Sequence, residues 1–122
     1  MDDFTVFFDA QDVVNFGPVA AFPSAHPVTP GHTLIVPTKR RVDYFDLTRE
    51  EADETWAASR FVRNELLVGD RTITGFNLGW NVGASAGQTV FWAHLHIIPR
   101  RDGDIDDPFG GIRGVIPDRR RY

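Results

Sequence analysis

Cysteine is absent from the 122-residue sequence. This absence excludes disulfide scaffolds, thiolate zinc sites and cysteine nucleophiles. Long apolar runs are missing as well, since none approaches the roughly 18 residues of a membrane span. The chain starts Met1-Asp2-Asp3, which is acidic where a signal peptide would be basic, and no apolar h-region follows. We therefore expect a cytoplasmic protein with no membrane partner.

Positive charge is also scarce, with 13 Lys and Arg against 17 Asp and Glu and a formal net charge of -4 at pH 7. Non-specific affinity for a phosphate backbone needs a basic surface, so we expect no nucleic-acid polymer as a partner. The basic residues lie in short clusters, a pattern typical of solvated surface. They are Lys39-Arg40-Arg41, Arg100-Arg101 and Arg119-Arg120-Arg121. Whether Lys39, Arg100 or Arg113 reaches a phosphate stays open.

The remaining composition, 42% hydrophobic and 25% charged, is that of an ordinary globular protein. It predicts a single domain over residues 1–122, with a core large enough to need no metal or disulfide. Apolar stretches on both sides of Gly17 predict a short hairpin, and further strands are predicted over residues 32–36, 73–82 and 88–98.

A capping-box pattern, Thr48 with Glu51, predicts a helix that runs to about Val68. Its buried face is expected along one stripe, with Phe61 and Val62 sharing the burial. The stripe residues are Ala52, Trp56, Ser59 or Arg60, Arg63, and Leu66 or Leu67. Strands with one long helix inserted predict an α+β fold, with an antiparallel sheet of about five strands and a second, short helix allowed.

Two histidines stand two residues apart in the last predicted strand. Because side chains alternate across a strand, Trp92, His94 and His96 are expected on one face and the apolar residues Phe91, Ala93, Leu95 and Ile97 on the core face. The Cα atoms of His94 and His96 would be about 6.7 Å apart at the usual strand rise. Both imidazoles can therefore reach one phosphate-sized group.

Three interpretations of this pair remain open. The histidines can be ordinary structural residues. They can bind a metal ion, with His26 and His32 as the other nitrogen donors. They can also act directly, because a neutral imidazole attacks as a nucleophile without a separate base.

A loop rich in small residues, from Asn81 to Gln88, precedes the histidines. Its glycines, Gly83 and Gly87, would let backbone N–H groups approach an anion, although a plain turn fits the same pattern. The side chains of Asn81 and Gln88 add uncharged amide donors that suit a phosphate. Trp92 can stack on a base or fill space, and we favour packing.

At residues 27–37 and 81–100 the sequence resembles the histidine triad family of nucleotide hydrolases and transferases, and its ending resembles the bacterial diadenosine polyphosphate hydrolase branch. The resemblance implies a homodimer with a nucleotide substrate bound at each subunit. It also implies that His94 is the nucleophile, that His96 donates to phosphate or leaving group, and that His32 belongs to the same hydrogen-bonded cluster. It places Asn81, Gln88 and Thr89 on the phosphates, beside Gly87. No cofactor or protein-bound metal is required, although a divalent cation can accompany a polyphosphate.

Two residues depart from the family pattern. Trp92 stands at the first triad position, and Ser24 stands where many members grip the ribose with an acidic or amide side chain. We expect a hydrolase that cleaves a phosphoanhydride or phosphoramidate bond of a nucleotide, with a dinucleoside polyphosphate as the expected substrate. The alternative hypothesis is a nucleotide-binding or interaction module with weak or no catalysis.

Overall fold

The computed structural model describes residues 10–122, which form a five-stranded sheet with one long helix. The strands and the helix are β1 (Val14–Phe16), β2 (Val19–Pro23), β3 (Thr33–Pro37), α1 (Arg49–Gly69), β4 (Gly75–Trp80) and β5 (Leu95–Arg100). Short 3₁₀ turns lie at Tyr44–Asp46, Ala84–Ala86, Gly111–Val115 and Pro117–Arg119.

The sheet is antiparallel throughout and has the order β1-β2-β3-β5-β4. The predicted hairpin is present, with Gly17 at a φ of 71° in the turn between β1 and β2. In the centre of the sheet, His96 of β5 pairs with Leu34 on one side and with Gly79 on the other. The α+β prediction is confirmed.

Helix α1 begins where the sequence predicts. The Thr48 side chain accepts from the Glu51 N–H, and the Glu51 carboxylate accepts from the Thr48 N–H at 2.8 Å. Within the described residues, no helix combines the length and the apolar character needed to cross a membrane.

The predicted face of α1 is wrong by one residue over the first turns, whereas Val62 is buried and Leu66 packs against the core as expected. The buried side chains are Glu51, Thr55, Ala58 and Val62. The predicted Trp56 is 65% exposed. The observed stripe is therefore rotated by about 100° from the expected one. One cause is polar: Glu51 is held inside by the capping box and by an ion pair with Arg41 at 2.9 Å, which a stripe drawn from apolar residues does not anticipate.

Both faces of the sheet carry apolar clusters. On the face covered by α1, hereafter the helix face, the buried cluster consists of Val19, Ala21, Ile35, Ala58, Val62, Leu95 and Ile97. On the opposite face, hereafter the histidine face, it consists of Phe22, Leu34, Val36 and Trp92. Because Leu34 is the cross-strand partner of His96, the His96 imidazole lies on this second face.

The last strand is shorter than predicted, because residues 88–94 are not part of the ladder and β5 starts at Leu95. The Ala93 N–H donates to the Arg41 carbonyl at 2.7 Å, outside the β3 ladder. Phe91, expected in the core, is 40% exposed. Strand β4 is also shorter than the predicted span of residues 73–82.

Candidate active site

Three histidines meet on the histidine face: His32 comes from the first motif, and His94 and His96 come from the second. His32 immediately precedes β3, His94 immediately precedes β5, and His96 lies in β5. The ring centroids are 5.0 Å apart for His94 and His96, and 5.1 Å apart for His32 and His96. His96 is therefore in the middle, with one imidazole on each side.

Hydrogen bonds determine the tautomers of His32 and His96. The Val28 N–H donates to His32 Nδ1 at 2.9 Å, so Nδ1 is the acceptor and the His32 proton is on Nε2. His32 Nε2 lies 2.9 Å from His96 Nδ1 and donates to it. In neutral His96 the proton is consequently on Nε2, which makes this atom an N–H donor on the histidine face.

His94 has the opposite arrangement. Its Nδ1 lies 2.8 Å from the Trp92 carbonyl oxygen. Because a carbonyl only accepts, Nδ1 carries the proton and the lone pair of neutral His94 is on Nε2. The two neighbouring rings thus differ in chemistry: His94 Nε2 is a base or nucleophile, and His96 Nε2 is a donor.

Burial lowers the pKa of two of the three histidines, His32 and His96. Desolvation, followed by the nearby imidazoles of His94 and His32, lowers the pKa of His96 to about 4. Burial also lowers the pKa of His32. Near pH 7 these two rings are therefore uncharged, and the hydrogen-bonded chain from Val28 to His96 is one of neutral donors and acceptors.

The small-residue loop folds back on itself. Gly83 has a φ of 89°, which favours glycine. The N–H of Gly83 donates to Gln88 Oε1 at 2.9 Å, and that of Gly87 donates to the Ala84 carbonyl at 3.0 Å. The glycine amides expected to face an anion are thus used inside the loop. The N–H groups of Ala84 and Ser85 open the 3₁₀ turn and have no backbone acceptor within residues 10–122, so they are the amides that remain for a ligand.

Gln88 differs from its expected role. The side chain is 3% exposed, and its Nε2 donates to the Val42 carbonyl at 2.7 Å and to the Val90 carbonyl at 3.2 Å. With Oε1 bound by Gly83, all the polar atoms of the amide are engaged. Gln88 therefore holds the loop in shape and does not offer its amide to a phosphate. Asn81 and Thr89, at the two ends of the loop, are exposed.

Trp92 is a packing residue, as favoured from the sequence. It is fully buried, packs with Leu34 and Val36, and donates from Nε1 to the Pro37 carbonyl at 2.9 Å. A ring with no exposed surface does not stack on a nucleotide base, so the position of Trp92 does not support a substrate contact through stacking.

Ser24 lies next to His32, just beyond the ladder that joins β2 to β3. Its N–H donates to the His32 carbonyl at 2.9 Å, and its half-buried hydroxyl accepts from the His26 N–H at 3.2 Å. His26 itself is exposed. Ser24 is thus close to the histidine cluster, while His26 is not part of it.

The sequence reasoning missed the turn that orients His32. Thr29 Oγ1 donates to the Pro99 carbonyl at 2.6 Å, and the Thr29 carbonyl accepts from the His32 N–H at 3.1 Å. Gly31 has a φ of 93°, and a Cβ there would lie 3.1 Å from both Leu66 and Pro99. Prolines and a glycine in this segment are typical of a turn, but they do not show that one of its N–H groups sets a histidine tautomer.

A metal ion fits this cluster poorly. His32 uses both ring nitrogens in hydrogen bonds, so ligation would break at least one of them. Among residues 10–122 no group of three or more His, Asp or Glu side chains is arranged to hold a metal ion. The hydrogen-bonded arrangement favours direct imidazole chemistry over metal binding.

The fold and the site define a small α+β protein with a hydrogen-bonded histidine cluster on one face of its sheet. The HIT domain family matches residues 8–103, and the chain belongs to this family. The resemblance drawn from the two sequence motifs is confirmed.

Among curated relatives, the chain is 34% identical over 88 residues to the asymmetrical bis(5'-nucleosyl)-tetraphosphatase of Schizosaccharomyces pombe, covering 72% of this chain and 48% of that protein. It is 36% identical over 106 residues to the AP-4-A phosphorylase of Mycobacterium tuberculosis, covering 81% and 51%. The chain spans about half the length of these two relatives.

Solved structures show the same fold. A HIT family protein from Bacillus anthracis superposes with a TM-score of 0.72 at 38% identity, covering 77% of this chain and 66% of that one. A zinc-bound histidine triad family protein from Mycobacterium smegmatis gives a TM-score of 0.71 at 31% identity, covering 82% and 73%.

Proposed function

We propose that the protein is a nucleotide hydrolase in which His94 Nε2 attacks the phosphorus of a nucleotide phosphoanhydride. The observation that carries the proposal is the Nδ1–H bond from His94 to the Trp92 carbonyl, because it leaves the Nε2 lone pair beside the His96 donor. The names of the relatives from S. pombe and M. tuberculosis support a dinucleoside polyphosphate as the substrate.

The reaction has two displacements at phosphorus. First, the Nε2 lone pair of His94 forms an N–P bond, and the P–O bond to the leaving phosphate breaks with its electron pair on the departing oxygen. Then water attacks the same phosphorus. The N–P bond breaks, its electrons return to Nε2, one proton of the water passes to solvent, and a mononucleotide is released.

His96 assists as a hydrogen-bond donor. Since its pKa is lowered to about 4, it is neutral near pH 7 and does not readily transfer a proton. This favours leaving groups that depart as stable anions, such as terminal phosphates, over amines that need protonation. Phosphoanhydrides are thus better substrates than phosphoramidates on this mechanism. The Ala84 and Ser85 N–H groups and the exposed side chains of Asn81 and Thr89 supply further donors for the phosphate oxygens.

The remaining features of the proposal concern the whole protein. It needs no cofactor, although a divalent cation can accompany the substrate, and it is cytoplasmic. It is a homodimer joined through the β4 edge of the sheet, where Leu78 is 47% exposed and the nearby Trp56 is 65% exposed. Light scattering of the wild type and of Leu78→Glu tests the dimer, and a monomeric wild type would contradict it.

The test of the catalytic proposal uses a His94→Asn variant. The Asn amide can retain the hydrogen bond to the Trp92 carbonyl but has no Nε2 lone pair. We expect turnover of diadenosine polyphosphates by the wild type and a loss of at least about 10³-fold in the variant. Acid-labile nucleotidyl-histidine should be trapped by mass spectrometry in the wild type alone.

His26→Asn is the matched control, because His26 is an exposed histidine outside the cluster. It should turn over at the wild-type rate. Equal rates for His94→Asn and the wild type would refute the mechanism. Nucleotide affinity with negligible wild-type turnover would favour the alternative, a binding module in which Trp92 has replaced the first triad histidine.

A further inference from the structure

Two adjacent cations just after β3 form no ion pair with the part of the chain that the structure describes. Lys39 and Arg40 are exposed, and neither forms an ion pair within residues 10–122. The carboxylates nearest in sequence are engaged elsewhere, since Asp43 accepts from the Phe45 N–H and Asp46 from the Val42 N–H, both at 2.9 Å. Within residues 10–122, no carboxylate neutralises the charge of the basic pair.

Most other arginines of the described chain have partners. Arg41 pairs with Glu51, Arg100 with Asp104, Arg101 with Asp70, and Arg121 with Asp107. In a chain with a formal charge of -4, Lys39 and Arg40 are cations without an ion pair among the described residues, and Arg40 contacts the segment that leads into His94.

Hydrogen bonds fasten the basic segment to the segment that leads into His94. Arg40 Nε donates to the Phe91 carbonyl at 3.2 Å, three residues before His94. The Ala93 N–H donates to the Arg41 carbonyl, and Gln88, which shapes the loop, donates to the Val42 carbonyl. The terminal nitrogens of Arg40 make no hydrogen bond or ion pair in the described part of the chain. The guanidinium is thus held through Nε, and its two terminal nitrogens are available to donate to a ligand.

We infer that Arg40, assisted by Lys39, binds the phosphates of a polyphosphate substrate beyond the one that His94 attacks, and so sets the preferred chain length. The inference rests on the proposed function. His96 offers a neutral N–H donor, and the loop likewise offers N–H groups without charge. These donors can bind the oxygens of one phosphate, but they do not compensate the negative charge of the other phosphates. A tethered guanidinium suits this task because its fork binds phosphate oxygens in pairs and little freedom is lost on binding.

The experiment compares substrates that differ in charge beyond the reacting phosphate. Diadenosine tri-, tetra- and pentaphosphates are compared with the p-nitrophenyl ester of adenosine monophosphate, whose leaving group is a stable anion without phosphate. For Arg40→Gln we expect kcat/KM on the tetraphosphate to fall about tenfold to a hundredfold, the worth of a charged hydrogen bond. The value for the nitrophenyl ester should be unchanged.

Matched variants sharpen the result. Arg40→Lys should retain part of the preference for long chains, and Lys39→Gln should lose less than Arg40→Gln. Arg63→Gln, which removes an exposed arginine of α1 on the other side of the sheet, should behave as the wild type. The loss in Arg40→Gln should also diminish at high salt, because screening weakens the same attraction in the wild type.

Two outcomes overturn the inference and leave the proposed function intact: an equal loss on all substrates, or no loss on the long ones. Calorimetry with inorganic tripolyphosphate gives a readout that needs no turnover, and Arg40→Gln should bind it more weakly than the wild type or Arg63→Gln. If no substrate is turned over, the proposed function fails, and equal tripolyphosphate binding by these proteins would separately refute the role of Arg40.

Discussion

The two ends of β5 use polar residues in opposite ways. At its start, the neutral rings of His32 and His96 lie with His94 in a cluster that is held by single hydrogen bonds. At its end, Arg100 makes two bonds to the Asp104 carboxylate, at 2.7 and 2.8 Å, and Arg101 binds Asp70 at 2.8 Å. At the charged end, the arginines and carboxylates pair with one another. At the neutral end, the hydrogen bonds leave a lone pair on His94 Nε2 and an N–H donor on His96 Nε2.

The sequence left open whether Arg100 binds a phosphate, and its contacts at the charged end answer this question. Arg100 also donates to Asn77 at 2.8 Å, so its guanidinium is engaged by a carboxylate and an amide. The hydrogen bond from Arg100 is the main cause that lowers the pKa of Asp104 to about 2. Both members of the pair are therefore ionised at neutral pH. We therefore assign Arg100 to the structure of the C-terminal segment and not to a phosphate.

The largest effect is expected at the neutral end, from His96. His96→Ala should reduce kcat by about 10² to 10⁴-fold, because the donor to the phosphate or leaving group is lost. His96→Gln, whose amide can reach the position of Nε2–H, should recover part of this activity in the same steady-state assay. Equal rates for the two variants would show that the donor at Nε2 has no role.

The next largest effect is expected on the stability of the protein, from Trp92 in the buried cluster of the histidine face. Trp92→Phe should lower the free energy of unfolding by about 1–3 kcal/mol, because it leaves space and removes the partner of the Pro37 carbonyl. Urea denaturation measures this, and Val68→Ala, at a position 78% exposed, is the control expected near zero. A fully stable Trp92→Phe protein would contradict the packing role.

The pH dependence of stability separates the two ends of β5. The pKa of His96 falls from 6.5 to about 4 on folding, so the unfolded state binds more protons between these values. Stability is therefore complete above about pH 6.5 and decreases as the pH falls towards about 4. Asp70 and Asp104, both with a pKa of about 2, lose their contribution only below about pH 3.8.

Urea titrations near neutral pH and at about pH 5 measure the histidine contribution. His96→Asn, whose carbonyl can still accept from His32, should flatten the curve in this window. An unchanged slope in the variant would show that His96 is not the group responsible.

The smallest effect is expected at the charged end. Asp104→Asn should lower the midpoint of thermal unfolding slightly while kcat/KM stays at the wild-type value, because its contacts lie away from the histidines. The exposed pair Arg49–Asp53 supplies the control, and Asp53→Asn should change neither quantity. Loss of activity in Asp104→Asn would mean that the two ends are coupled.

Much of the fold could be predicted from the sequence because the signals were local. The hairpin at Gly17 and the capping box at Thr48 depend on a few neighbouring residues. The helix face and the start of β5 were predicted wrongly because they depend on distant groups. Glu51 is buried by its pairing with Arg41, and the Ala93 N–H is taken by the carbonyl of Arg41, more than fifty positions away in the chain.

The same division holds for the site. The available chemistry follows from the sequence alone, because the sequence contains two histidines two residues apart, a small-residue loop and an upstream histidine. The proton position on each ring and the role of Gln88 in the loop depend instead on contacts that form when the chain folds. The reason is that a tautomer is selected by the donor or acceptor opposite it, and for His96 that group arrives from the other motif, 64 residues away.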